Sequence, residues 1–159
     1  MEQRKLSVWL KIILTGILIC GVAVYTWIIP ELGMAIKTKN PEYAYCFAPW
    51  LVFIGLTAIP CFTALALVWR IASNIGDDRS FVEKNAGMLK WISVLAAGDA
   101  AFFFVGNIVM LLLGMSHPGV TLLSLIVVFV GVAVAVAAAA LSHLVHKAAL
   151  LQEQSDLTI

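Results

Sequence analysis

The chain has 159 residues, of which 62 % are hydrophobic and 12 % are charged, and its formal net charge is +1. An ordinary soluble domain contains about 45–50 % apolar and about 25 % charged residues. A small soluble fold could not bury this apolar excess, because it has too much surface for its volume. The composition therefore predicts a single membrane domain over residues 1–159 with the lipid bilayer as its solvent. It excludes a nucleic-acid-binding protein, which needs a basic patch.

Four apolar segments are long enough to cross a bilayer, since about 20 helical residues span a hydrocarbon core of roughly 30 Å. The predicted spans are residues 10–29, 48–69, 91–113 and 120–142. The first is longer than a signal-peptide core and lacks a clear A-x-A cleavage site, so we interpret it as a transmembrane helix. Residues 30–47 are predicted to be a polar connection, and the turn at residues 114–119 makes the last two spans antiparallel neighbours. The sequence thus predicts an all-α bundle of four transmembrane helices.

The positions of the basic residues predict the orientation of this bundle. With the N-terminus inside, only Lys37 and Lys39 lie outside, and the other eight basic residues lie inside: Arg4, Lys5, Lys11, Arg70, Arg79, Lys84, Lys90 and Lys147. Positively charged loops stay on the cytoplasmic side. The tryptophans agree, because they fall at the two predicted interfaces: Trp9, Trp69 and Trp91 inside, Trp27 and Trp50 outside. We therefore expect both termini to be cytoplasmic.

The second span contains a proline in its middle, Pro60. Proline cannot donate to the carbonyl four residues before it, so we expect a kink at this position. Thr57 and Thr63 lie within one turn of Pro60, and their hydroxyls can satisfy freed backbone groups.

Asp99 is the most informative residue of the third span, which also contains Asn107. It lies eight residues after Trp91, or about 12 Å into the membrane at the helical rise. A carboxylate at this depth costs at least about 2.5 kcal/mol and usually faces the bundle interior or a wet cavity. Its candidate partners are Thr57, Thr63, Lys11 and Arg70. An interhelical hydrogen bond that fixes packing or a homo-oligomer is favoured over a proton, ion or ligand site.

The longest polar run, residues 70–99, begins with the connection between the second and third spans and leads into the third span. Gly76 opens a predicted turn, and Ser80 with Glu83 three residues later matches a capping box, so a new helix is expected to begin at Phe81. Met88 and Ile92 fall on one stripe with Phe81, and Asn85 lies within that stripe. We expect Asn85 to hydrogen-bond a neighbouring helix end.

Few residues suggest chemistry beyond these. His143 and His146 share a helix face and are candidates for a metal or haem site, but no partners at matching depth are evident, so an interfacial role is favoured and no metal or cofactor is predicted. The three cysteines form no C-x-x-C pair and are expected to act as small hydrophobic residues. No catalytic triad, phosphate-binding loop or H-E-x-x-H motif occurs, which disfavours an enzyme.

The polar run Gly76–Asn85, followed by Leu89 and Ile92, resembles a bacterial membrane family, domain of unknown function 2975. Its members have four predicted spans and a G-x-P-F-x-x-x-N type sequence between the second and third. Phe81 and Asn85 match this pattern, Gly76 is close to its glycine, and Ser80 replaces the proline. The genes of the family often lie beside a small helix-turn-helix regulator. The resemblance implies a multi-pass protein of the bacterial cytoplasmic membrane with a regulatory or sensory role, and it carries over no catalytic residue.

Three hypotheses for function follow from the sequence. The first is a non-enzymatic membrane protein that regulates a membrane or cytoplasmic partner through residues 70–90. The second is a subunit of a small-solute transporter or channel that uses Asp99 and the Pro60 kink in a homo-oligomer. The third is a haem- or quinone-handling enzyme that uses His143 and His146. The first is favoured because polar residues are concentrated in that connection, on the predicted cytoplasmic face.

Overall fold

The computed structural model describes residues 3–156, and within this range the chain is almost entirely helical. Its α-helices are α1 (Gln3–Ala23), α2 (Ile29–Lys39), α3 (Phe47–Gly76), α4 (Glu83–Leu112) and α5 (Pro118–Asp156). A π-helical turn, Val24–Ile28, joins α1 to α2, and a 3-10 helix, Pro41–Cys46, leads into α3. Together these elements form four helices that are long and apolar enough to cross a membrane. The predicted all-α, four-span fold is confirmed.

The first spanning helix is longer than the sequence indicated, because the predicted polar connection at residues 30–47 is helical as far as Lys39. Pro30 has no N–H, and its ring would clash with the carbonyl four residues back in a regular α-helix. The π-helical turn lies directly before it, and the Ile29 N–H donates to the Val24 carbonyl five residues back. The helix therefore passes Pro30 without ending, and Tyr25 lies well inside it.

Each spanning helix packs mainly on the next one along the chain: α1 and α2 on α3, α3 on α4, and α4 on α5. Leu89, Ile92 and Ala138 form a buried core where α4 and α5 meet side chains of α3. A Cβ atom at Gly131 of α5 would lie 3.0 Å from the Cβ of Ala100, so small residues let α5 approach α4 closely. Most large apolar side chains face outward, as expected for a protein whose exterior contacts lipid.

The bundle has two ends. At the hairpin end, which contains α2 and the turn between α4 and α5, Gly114 adopts a left-handed conformation with φ of 69°. Its N–H donates to Leu111, and the Met115 N–H donates to Met110. These are the two bonds of a Schellman helix stop. The Trp50 indole of α3 donates to the Met115 carbonyl at 2.8 Å, which ties the start of α3 to this turn.

The loop end contains the start of α1, residues 77–82 between α3 and α4, and the last part of α5. Here α3 also ends in a Schellman motif, because the Arg79 N–H donates to Asn74 and the Asp78 N–H donates to Ile75. The left-handed residue is Asp78, with φ of 58°. Gly76 instead ends the helix, and a Cβ atom on it would lie 2.8 Å from the Ser7 hydroxyl oxygen. Gly76 thus allows α1 and α3 to approach closely.

The packing of α3 on α4 can be tested at Gly106. A Cβ atom there would collide with the ring of Phe53, which itself lies between other aromatic rings. We expect Gly106→Ala to destabilise the protein by about 1–3 kcal/mol, because this ring has little room to move. The measurement is thermal unfolding in detergent. Gly98→Ala in the same helix is the control, since nothing lies within 4 Å of its added methyl group. Equal midpoints for the two variants would contradict this account of the interface.

Candidate functional site

Four polar side chains from three helices meet inside the membrane-spanning part of the bundle. Tyr25 comes from the π-helical turn, Thr57 and Cys61 from α3, and Asp99 from α4. The Tyr25 hydroxyl lies 2.9 Å from the Thr57 hydroxyl and 4.0 Å from the Cys61 sulfur. The Cys61 thiol lies 3.6 Å from Oδ2 of Asp99. We call these four residues the intramembrane cluster.

The protons of the cluster can be assigned from its geometry. The Thr57 hydroxyl donates to the Ile54 carbonyl at 2.7 Å, so the Tyr25 hydroxyl is the donor in the shorter Tyr25–Thr57 contact. The Cys61 thiol donates to Asp99, although a thiol is a weak donor. Each hydroxyl and thiol proton therefore has an acceptor, and the cluster offers Asp99 no donor other than a thiol.

Asp99 has no cationic partner in the part of the chain that the structure describes. Its Oδ1 atom is buried without a hydrogen-bond partner, and none of the described lysines and arginines forms an ion pair with it. Lys11, predicted to reach it, lies instead over the Trp69 ring at 5.8 Å from the centroid. The cluster therefore has the chemistry to bind a positively charged group or a hydrogen-bond donor.

The predicted partners of Asp99 were wrong, since none of them bonds to it directly. The observed partner is Cys61, although a cysteine in an apolar run was expected to act as a small hydrophobic residue. Thr57 belongs to the cluster but contacts Tyr25 rather than Asp99. Cys61 lies one helical turn after Thr57, so this spacing could have placed both on one face. Tyr25 was missed because the first helix was expected to end only four residues after it.

The remaining intramembrane candidates lie outside this cluster. The Thr63 hydroxyl donates to the Ile59 carbonyl in its own helix. The Asn107 amide donates to the Phe103 carbonyl, and its Oδ1 atom is buried without a partner. Pro60 lies between Thr57 and Cys61 in a helix that is unbroken from Phe47 to Gly76. Of the predicted intramembrane residues, the structure thus brings together only Asp99 and Thr57, which are linked through Tyr25 and Cys61.

A second polar site lies at the loop end around Asn85, which is only 1 % exposed. Its amide nitrogen donates to the carbonyls of Arg79 and Ser80, both at 2.9 Å. Its Oδ1 atom accepts from the Asn74 amide at 2.6 Å. Asn85 therefore joins the end of α3, the connection at residues 77–82 and the start of α4, and its predicted bond to a neighbouring helix end is observed.

The predicted capping box is wrong. The helix α4 begins at Glu83, its N-cap residue is Val82, and no side chain caps it. Ser80 lies two residues before the N-cap, too early in the chain to reach the N–H groups of the first turn. Its hydroxyl instead donates to the Gln3 side chain at 2.5 Å. Phe81, predicted to share a helical stripe with Asn85 against the bundle or the acyl chains, lies before the start of α4 and is exposed.

Further polar contacts connect all four spanning helices at the loop end. The Ser7 hydroxyl donates to the Ala72 carbonyl at 2.6 Å, linking α1 to α3. On the other side, Ser142 and His146 of α5 contact α4: Ser142 donates to the Ala86 carbonyl at 2.7 Å, and Nδ1 of His146 lies 2.6 Å from Glu83. We call these contacts, together with those of Asn85 and Ser80, the loop-end network.

The histidines do not form a metal site in the described part of the chain. His146 contacts Glu83, and His143 is exposed. Residues 3–156 contain no group of three His, Cys, Asp or Glu side chains arranged to hold a metal ion.

Comparison with known proteins places the chain in a family. Residues 31–159 match the model of DUF2975, a protein family of unknown function. The chain belongs to the DUF2975 family. It is also 27 % identical to the "Uncharacterized membrane protein YoaS" of Bacillus subtilis (strain 168), over 99 % of both chains. No solved structure matches it. The DUF2975 match includes Asp99 and most of the loop-end network, whereas Tyr25 lies before it.

The loop-end network of this DUF2975 protein can be tested at Asn85. Replacing Asn85 by alanine leaves two carbonyls and the Asn74 amide without their partner, which we expect to cost about 1–3 kcal/mol. Thermal unfolding should show this loss, and hydrogen exchange should increase at residues 74–86. Lys84→Ala, at an exposed neighbouring position, should change neither. Unchanged exchange in Asn85→Ala would show that the connection is held by other contacts.

Proposed function

We propose that this protein is a non-enzymatic regulatory protein of the bacterial cytoplasmic membrane that binds a partner protein through its loop end. The observation that carries the proposal is the loop-end network. It fixes the short connection at residues 77–82 by burying Asn85, and it leaves side chains of that connection exposed. A surface that is rigid before binding loses less conformational entropy when a partner docks.

The exposed residues of the connection have the character of a protein-binding surface. Phe81 is 53 % exposed, and Asp77, Asp78 and Arg79 beside it are exposed as well. Aromatic and arginine side chains dominate the binding energy of many protein interfaces. The loop end is also the more basic end, so the distribution of lysine and arginine supports its placement on the cytoplasmic side. A partner with an apolar pocket and a polar rim would fit this surface.

Removal of the Phe81 ring tests the docking surface. We expect Phe81→Ala to lose partners that co-purify with the tagged protein from its native membrane, because an exposed ring contributes to binding and little to the fold. Tyr43→Ala is a matched control, since Tyr43 is 52 % exposed but lies at the hairpin end. Quantitative mass spectrometry should show partners retained in Tyr43→Ala and lost in Phe81→Ala. Identical partner sets for both variants and the wild type would exclude docking at Phe81.

The proposed orientation can be measured independently. On a background without native cysteines, single cysteines at positions 39 and 79 are treated with an impermeant maleimide in intact cells. Position 39 should react at once, and position 79 only after permeabilisation, because the excess of basic residues keeps the loop end inside. The reverse pattern would overturn the proposed orientation.

A second candidate function is a subunit of a small-solute transporter or channel that uses Asp99. The intramembrane cluster favours it, because a carboxylate in the membrane interior with an unpartnered oxygen is expensive without a function. In proteoliposomes, a flux supported by the wild type should be abolished in Asp99→Asn and retained in Glu42→Gln, which changes an exposed carboxylate in the 3-10 helix at the hairpin end. Flux that does not depend on Asp99 would remove this candidate.

A further inference from the structure

Asp99 lacks the partners that a carboxylate in a membrane normally has. Inside a membrane, ionised carboxylates are normally paired with a cation or hydrogen-bonded by strong donors. Asp99 has one thiol donor at 3.6 Å, and its second oxygen is buried with no partner. The remaining protons of the cluster are already donated to Thr57 and to the Ile54 carbonyl. The described chain therefore offers no positive group to an ionised Asp99, and a positive group from outside can balance that charge.

The cluster can be reached from the surface of the bundle. Cys61 is exposed, and both Tyr25 and Asp99 are only partly buried. Within residues 3–156, α1 packs mainly on α3 and α5 packs mainly on α4. Neither of these two outer helices therefore extends across the bundle to cover its opposite side. A ligand dissolved in the bilayer can approach Asp99 without unfolding any helix.

Aromatic rings lie in the intramembrane cluster and beside it. The Tyr25 ring packs against Phe62 with centroids 5.9 Å apart. Phe103, one helical turn after Asp99, stacks on Phe53 with an angle of 6° between the ring planes. The faces of aromatic rings attract cations, and protein sites for quaternary ammonium groups are built from such rings.

The donor atoms disfavour a small inorganic ion. Hard cations such as calcium take about six or more oxygen ligands. The cluster supplies one carboxylate, two hydroxyls and a thiol, and sulfur is a soft ligand that such ions avoid. A cation whose charge is spread over an apolar body needs no such shell, because lipid and aromatic side chains can surround it.

We propose that the intramembrane cluster is a binding site for lipophilic monovalent organic cations, with Asp99 as the counter-ion and the Tyr25 ring as a cation-binding face. This inference names the class of solute that the second candidate function would transport. Transport of such cations rests on that proposed function. Binding itself does not depend on transport, so the two can be tested separately.

The probe is tetraphenylphosphonium, added to the full-length protein in lipid nanodiscs, with empty nanodiscs to subtract partition into lipid. Isothermal titration calorimetry should show saturable binding to the wild type. We expect Asp99→Asn to weaken it by about tenfold or more, since the counter-ion is lost. Glu42→Gln should bind like the wild type. Excess sodium chloride should not displace the probe from the wild type beyond what a matched excess of potassium chloride does.

Tyr25 supplies an independent pair of variants in case Asp99→Asn fails to fold. Tyr25→Phe keeps the ring and should bind the probe about as tightly as the wild type, whereas Tyr25→Leu should bind several-fold more weakly. Equal binding by wild type and Asp99→Asn, or by the two Tyr25 variants, would overturn the proposal. So would specific displacement by sodium. Asp99-dependent binding without flux would leave this site standing and remove the transport function. Asp99-dependent flux of another solute without probe binding would remove the proposed cation site and leave the transport function standing.

Discussion

The hydrogen bonds of the Asn85 side chain hold together the part of the molecule on which the rest of the bundle depends. They close the connection at residues 77–82 on both sides, because the amide donates to two carbonyls of the connection and accepts from Asn74 at the end of α3. A buried amide left without partners would be costly, so the positions of α3 and α4 at this end are strongly linked. Polar contacts at the loop end then join the outer helices to this pair, α1 through Ser7 and Gln3 and α5 through Ser142 and His146.

The two polar sites share the same helices. The helix α3 contains Thr57 and Cys61 of the intramembrane cluster and also Asn74, while α4 contains both Asp99 and Asn85. A ligand that draws Asp99 away from Cys61 would act on the same helix pair that Asn85 holds at the loop end. Under the two proposals, this arrangement offers a physical connection between a ligand in the membrane and a partner at the cytoplasmic surface. Such a connection is allosteric only if the ligand prefers one of two arrangements of α3 and α4.

The packing is organised differently from that of a soluble helical protein. Residues that approach closely between helices are small, as Gly131 and Ala100 show, whereas large apolar side chains cover the exterior. In a bilayer, lipid tails are as apolar as leucine, so helices gain little from burying large side chains against one another. Close backbone approach and a few hydrogen bonds therefore have to fix the arrangement. This makes Gly76, Gly106 and the polar contacts at the loop end more important than their number suggests.

The sequence by itself determined the membrane environment, the four apolar helices, the antiparallel hairpin of α4 and α5, and the roles of Asn85 and Asp99 as polar residues in need of partners. These features follow from composition, segment length and the cost of a polar group in lipid, all of which are local properties. Only the tertiary structure decided which atoms are the hydrogen-bond partners of these polar residues. Cys61 could not be chosen as the partner of Asp99 because a cysteine in an apolar run is usually hydrophobic, and its bond depends on how α3 packs on α4. Tyr25 lies in a π-helical turn that the sequence did not indicate, and its contacts with Thr57 and Cys61 depend on how the first helix packs on α3. Ser80 and Glu83 fitted a local capping motif, but bonds to Gln3 and His146 on other helices replaced it.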